Sequence, residues 1–175
     1  YMACGLDVEL ISPSEESRLT VSAVRQALAS GGKVGRQQTL IADVGGGSVL
    51  LTMLRDDAIT YSGSYRIGSI RLQEGLSISD EPPAHAAELI RHQLAGTLAA
   101  ISSSVPLAKV KSFVAVGGDA RFAAAHVGEE LSEHLRSIRL KDFDALVESC
   151  RERTAEQLSR DYDLAFPEAE TLMPA

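Results

Sequence analysis

The sequence predicts an α/β domain in which a mixed sheet of about five strands is flanked by helices. Three features carry that expectation. Residues 39–65 hold three β-rich runs separated by turn residues, the pattern of an antiparallel meander. A helical stripe after the Pro82-Pro83 break leads into the short apolar run Lys111 to Val116, as a crossover to a further strand would. That run stops at Gly117-Gly118 and gives way to helix-forming residues, which places a loop at the carboxyl edge of a sheet.

Each element follows from local chemistry. Leu6 to Ile11 alternates loosely and reads as a short strand. Ser12 is then a natural N-cap, Pro13 suits the first helical position, and Glu15 completes a capping box with Ser12. Leu19, Ala23, Val24, Ala27 and Leu28 continue at helical spacing until Gly31-Gly32. The meander comprises Thr39 to Val44, Ser48 to Leu54 and Ala58 to Tyr65, with Gly45-Gly46-Gly47 and Asp56-Asp57 between the runs. Ala86, Ile90, Leu94, Leu98 and Ile101 share one face of the crossover helix. Ala120 to His126 is helical. Phe143, Leu146, Val147 and Cys150 form another stripe with Asp142 as N-cap, Thr154 and Gln157 form a second capping box, and Glu170 to Met173 reads as a last strand.

Composition bounds what the chain can do. With 175 residues, 45% of them hydrophobic, it can bury a core, which excludes intrinsic disorder. No run approaches the ~18 apolar residues of a membrane helix, so no membrane span is expected. The net charge of -7 disfavours nonspecific binding to nucleic acid, and no DNA partner is expected. Residues 128–175 carry 12 acids against 6 bases, so any anion site must be local. Cys4 and Cys150, 146 positions apart, match neither a zinc nor a redox spacing, and no secretion signal opens the chain. A cytoplasmic location is the expectation. Tyr1 in place of an initiator Met suggests a piece of something longer.

The most informative segment is Asp43-Val44-Gly45-Gly46-Gly47-Ser48. A carboxylate at the end of a buried strand is costly unless paired or bound to a cation, and glycines let backbone N–H groups converge on an anion. The same residues also suit a tight hairpin in which Asp43 caps the turn, and local pattern leaves both open. Gly117-Gly118-Asp119 offers a second such turn, although strand-to-helix turns use glycine for packing too. Glu16 and Arg18 in the first helix lack a structural role in the sequence pattern. Arg66 and Arg71 could each receive a phosphate oxygen, or simply be exposed loop charges. His85, His92, His126 and His134 show no metal-ligand spacing.

Taken in order, ELISPSEESRL, IADVGGGSVLL, RIGSIRLQE and VAVGGDARFAA resemble the exopolyphosphatase and guanosine pentaphosphate phosphohydrolase (Ppx/GppA) family. Its members show Ile-Ser-Gly-x-Glu-Glu-Ala-Arg, Asp-x-Gly-Gly-Gly-Ser-Thr-Glu, Gly-x-x-Arg-Leu and Gly-Gly-Thr-Ala stretches in that order. The closing LAFPEAETLMPA is similar to that family's Pro-Arg-Ala-Asp stretch.

The resemblance implies a ribonuclease H-like lobe of the actin, Hsp70 and sugar-kinase superfold. Residues 1–175 would form a single domain, the second lobe of a longer two-lobed protein whose first lobe, with its Asp-x-Gly-Ser-Asn-Ser loop, is missing. The implied activity is release of terminal phosphate from polyphosphate or a guanosine polyphosphate by metal-assisted attack of water, with the isolated fragment inactive and a homodimer among the implied assemblies. By the same resemblance, Glu16 is the base that orients water and Asp43 the acid linked to Mg2+ or another divalent cation. Gly45, Gly46, Gly47, Ser48, Gly117 and Gly118 face the phosphates. Val49-Leu50 stands where the family has Thr-Glu, Asp119 where a Thr is usual, and Glu168 near the usual Arg; all three changes weaken the expected hold on metal and phosphate. They leave open a non-catalytic member that binds a phosphorylated ligand or partner. A kinase of the same superfold is a third reading.

Overall fold

Helix α1 (Pro13–Ala29) starts where the capping pattern predicts: the Glu15 N–H donates to Ser12 Oγ at 3.2 Å. The return bond of the capping box is not made. Arg18 Nε and Nη2 instead donate to the Glu15 carboxylate at 2.9 and 2.6 Å, a charged fork outcompeting a single backbone donor. This pair also accounts for Arg18. In this computed structural model residues 8–29, 38–56 and 58–175 are described. Leu6, Gly31 and Gly32 lie outside them, and Val8 to Ile11 has no regular structure, so no strand precedes α1 there.

The meander forms as expected. Strand β1 (Thr39–Val44) pairs antiparallel with β2 (Val49–Arg55), which pairs antiparallel with β3 (Ala58–Tyr65). The chain then passes through α2 (Ser69–Leu76) and α3 (Pro83–Ser104) and returns as β4 (Ser112–Gly117), parallel to β1. The sheet is therefore mixed, in the order β3-β2-β1-β4.

Side-chain alternation divides this sheet between two helices. Ile41 and Leu54 face α1 and pack on Val21, Val24 and Leu28, while Leu40, Ala42, Leu51 and Met53 face the other way, onto Ile101 and Val105. Ala86 and Ile90 of α3 are buried against Leu72 and Ile78. Leu98, predicted on the same face, is half exposed, although Ile101 beyond it is buried against the sheet. Polar groups join the α1 interface as well: the hydroxyls of Ser17 and Thr52, each 1% exposed, share a hydrogen bond of 2.7 Å.

Beyond β4 come α4 (Gly118–Val127), a hairpin of β5 (Gly128–Ser132) and β6 (Leu135–Ile138), then α5 (Leu140–Arg151), α6 (Ala155–Tyr162) and α7 (Phe166–Leu172). Ala123, Leu146, Cys150, Leu158 and Ala169 form the core of this part, and burial pushes the Cys150 thiol pKa up. The Thr154–Gln157 capping box forms in full, with bonds of 2.9 and 3.3 Å. Three expectations are corrected. Arg139, not Asp142, is the N-cap of α5; Asp142 accepts from Arg139 Nε at 2.6 Å. Phe143 and Val147 stay largely exposed beside buried Leu146 and Cys150. Glu170 to Met173 is not a strand, because Pro167 and the Glu168 bond to the Ala165 N–H start a helix that buries Ala169. The main sheet accordingly has four strands, with the hairpin as a separate sheet. No helix among the described residues is long and apolar enough to cross a membrane.

The buried Ser17–Thr52 pair gives a direct test. Ser17→Ala strands the Thr52 hydroxyl and should cost about 1–3 kcal/mol in chemical denaturation. The double variant Ser17→Ala, Thr52→Val should cost less than the two single losses combined, the positive coupling expected of a shared buried bond.

Candidate functional site

Because β1 and β4 run parallel with Val44 opposite Gly117, the acid-tipped loop after β1 and the glycine turn after β4 leave the same edge of the sheet. Gly117 has a φ of 128°, and a Cβ there would stand 2.4 Å from the Val44 carbonyl oxygen. Only glycine permits that contact. At Gly118 a Cβ would meet nothing within 4 Å, so Gly117 is the glycine the fold requires. Gly117 has no side chain with which to cap α4.

Asp43 is the last α1-facing residue of β1, on the face that carries Ile41. Its Oδ2 accepts from Thr20 Oγ1 of α1 at 3.2 Å. Glu16 lies four residues earlier on the same helical face, about 6 Å along the axis. Its side chain is exposed and has no hydrogen-bond partner among the described residues. Thr20 thus ties the predicted base to the predicted metal acid. The sequence signal was its i, i+4 spacing from Glu16.

The loop 45–48 closes with the Gly45 N–H donating to the Ser48 carbonyl at 3.0 Å. Asp43 does not cap the turn; its carboxylate is used by Thr20. The first turn of α2 leans on the outside of the loop. A Cβ on Gly68 would lie 2.3 Å from Gly45 O and 2.5 Å from Gly46 C, and one on Gly46 would lie 2.6 Å from Ile70 Cδ1. The Arg71 N–H donates to Gly46 O at 3.0 Å and its Nε to Gly47 O at 2.9 Å. Among the described residues nothing accepts from the N–H groups of Gly46, Gly47 or Ser48. A run of free backbone donors is suited to an anion. Arg71, expected on a loop, therefore belongs to a helix and to the support of this loop, while Arg66 is exposed.

The departures from the family pattern have structural expression. Leu50 is the cross-strand partner of Asp43, so the two side chains share a face, and Leu50 is 3% exposed. An acid at this position would have stood next to Asp43. Among the described residues no group of three or more His, Cys, Asp and Glu side chains could hold a metal ion. Asp119 lines a cleft of about 210 Å³ with Gly118, Arg121, Phe122 and Thr171. Burial raises its pKa, the N–H bond and Arg121 opposing that shift. Glu168, at the rim of the cleft, is engaged in the α7 cap.

A sequence profile of the Ppx/GppA phosphatase family matches residues 1–161. The chain is similar in structure to the Ppx/GppA family member of Aquifex aeolicus, with a TM-score of 0.72 and 20% identity over 98% of this chain and 55% of that one. It is also similar to an exopolyphosphatase from Cytophaga hutchinsonii, with a TM-score of 0.79 and 18% identity over 97% of this chain and 55% of that one. The fold is thus that of actin-like, ribonuclease H-type proteins. The chain spans about half the length of these structures. No curated protein matches it in sequence.

The raised pKa of Asp119 carries a sign. A carboxyl that holds its proton more tightly when folded adds stability below its unfolded value of 3.8 and loses that contribution as pH rises through the folded value. Asp119→Asn should therefore melt above the unsubstituted protein at pH 7, with the gap closing as pH falls below 4 in a series of thermal scans.

Proposed function

The chain belongs to the Ppx/GppA phosphatase family, and from that premise we propose that its parent protein releases terminal phosphate from inorganic polyphosphate or a guanosine penta- or tetraphosphate by attack of water. The reading is supported by the common sheet edge from which the Asp43–Ser48 loop and the Gly117-Gly118 turn leave, and by the bond to Asp43 from Thr20, one helical turn along α1 from Glu16. The water oxygen bonds to the terminal phosphorus as the bridging P–O bond breaks, and the water proton passes to Glu16. The free N–H groups of Gly46, Gly47 and Ser48 take the phosphate oxygens, with the α4 turn at Gly117-Gly118 supplying the second contact.

Asp43 is the residue that would hold a divalent cation. One carboxylate fits the mode in which Mg2+ takes the rest of its oxygen shell from substrate phosphates and water. Such an ion would neutralise charge on the phosphate chain. On this reading the chain supplies one wall of a cleft and a further lobe the other, so the isolated chain does not turn over; the reaction belongs in the cytoplasm, and a homodimer is a compatible assembly.

A second reading, binding of a phosphorylated ligand without turnover, is favoured by Leu50 and Asp119, which remove a metal partner and add negative charge. Calorimetry on the intact protein with Mg2+ and tripolyphosphate or guanosine tetraphosphate separates the two, since there heat of binding without released phosphate belongs to the second alone.

In the intact protein with Mg2+, Glu16→Gln should lower phosphate release by ~10²–10⁴-fold; unchanged turnover removes Glu16 from the mechanism. Leu50→Glu places a carboxylate in a buried site beside Asp43 and should cost on the order of 3 kcal/mol without metal. Mg2+ should recover part of that loss in the variant while leaving the melting temperature of the unsubstituted protein little changed.

A further inference from the structure

Arg71 holds the glycine loop by its carbonyl oxygens, and that contact determines where the loop's donors point. Within a planar trans peptide, the carbonyl of one residue and the N–H of the next lie on opposite sides. The Gly46 carbonyl is fixed toward α2 by the Arg71 N–H and the Gly47 carbonyl by Arg71 Nε, so the N–H groups of Gly47 and Ser48 must face away from α2. Gly68 and Ile70 press on the same side of the loop, leaving a single side open for a ligand. Three successive glycines would otherwise allow these peptides to turn freely, and an unheld loop would have to order itself each time an anion arrived.

We propose that Arg71 is a positioning residue whose guanidinium, by donating to Gly47 O, keeps the 45–48 loop in its anion-accepting form. It acts through the loop and does not itself serve as a phosphate ligand. The purpose assigned to the clamp rests on the phosphohydrolase reading above; the clamp itself does not. A lysine in its place would retain the charge but not the side-on donor, since Nε–H of arginine lies in a rigid fork that a flexible ammonium cannot reproduce.

The test compares the intact protein with Arg71→Ala, Arg71→Lys and, as a control for a nearby exposed cation, Arg66→Ala. Without ligand, the backbone order parameter of Ser48, whose N–H shares a peptide plane with Gly47 O, should lie near 0.85 in the unsubstituted protein and in Arg66→Ala, and below about 0.6 in both Arg71 variants. The melting temperature should fall by no more than about 4 °C, as expected for one exposed bond. Tripolyphosphate should shift the amide signals of Gly47 and Ser48 and bind at least ~10-fold more weakly to both Arg71 variants. A loop that stays ordered in Arg71→Ala overturns the clamp. So does binding by Arg71→Lys equal to the unsubstituted protein, which would show that charge alone matters. If tripolyphosphate leaves Gly47 and Ser48 unshifted in the unsubstituted protein, the phosphohydrolase reading falls, while the order parameters still decide the clamp.

Discussion

The parallel pairing of β1 with β4 is the constraint on which the site depends. It places Val44 beside Gly117 and so brings two loops, 73 positions apart in sequence, out at equal depth on one edge. The register is enforced where it ends, because Gly117 lies against the Val44 carbonyl too closely for any side chain. A slip that set Val116 opposite Val44 would put a Cβ into that contact. A one-residue slip of β1 would also turn Asp43 away from α1 and part it from Thr20. One hydrogen-bonded ladder thus decides both where an anion could sit and which carboxylate stands nearby.

Elements written in local chemistry were legible in the sequence: the Ser12 and Thr154 caps, the meander between glycine and aspartate turns, and the glycine stop after β4. What escaped lacked a strong period. The strands of the β5–β6 hairpin are only five and four residues long, and the pairing of Glu130 with Arg136 and the partial burial of Leu135 against the α1-facing cluster become visible only in three dimensions. Helix α2 is eight residues long and opens on Gly68, which has no side chain to announce a cap. The terminal run 170–173 is too short to show a period, and the proline and glutamate before it select a helix. At the candidate site, residue types pointed to Asp43 and the glycines, and the family resemblance alone singled out Glu16. The links between them, Thr20 to Asp43 and Arg71 to the loop, join distant segments, and the one-turn spacing of Thr20 from Glu16 was their only trace in the sequence.

The pairing of Asp43 with Leu50 is what most distinguishes this site from its family pattern. Two acids facing each other across an antiparallel pair repel and so call for a cation between them. An acid facing a buried leucine has no such need and is satisfied by one hydroxyl. The site is consequently stable with no ion present. Under the proposed reading, charge on an incoming phosphate chain would be met by a cation shared between that chain and Asp43 and by backbone donors. The uncapped glycine loop and glycine turn supply such donors without adding charge to a chain whose net charge is -7.

Placement of Glu16 follows from how α1 is held. Its apolar contacts, Val21, Val24 and Leu28 on Ile41 and Leu54, favour one face of the helix but would tolerate small rotations or shifts, because dispersion is weakly directional. Hydrogen bonds are not so forgiving. Ser17 on Thr52 fixes the rotation of the first turns, and Thr20 on Asp43 fixes their height above the sheet, so Glu16, next to Ser17 and one turn before Thr20, has little freedom in backbone position. Apolar side chains of similar size at 17 and 52 could pack the same interface without loss of burial. The hydroxyls are better explained as devices of alignment than of stability, and under the proposed hydrolysis Glu16 would need such alignment to orient a single water molecule.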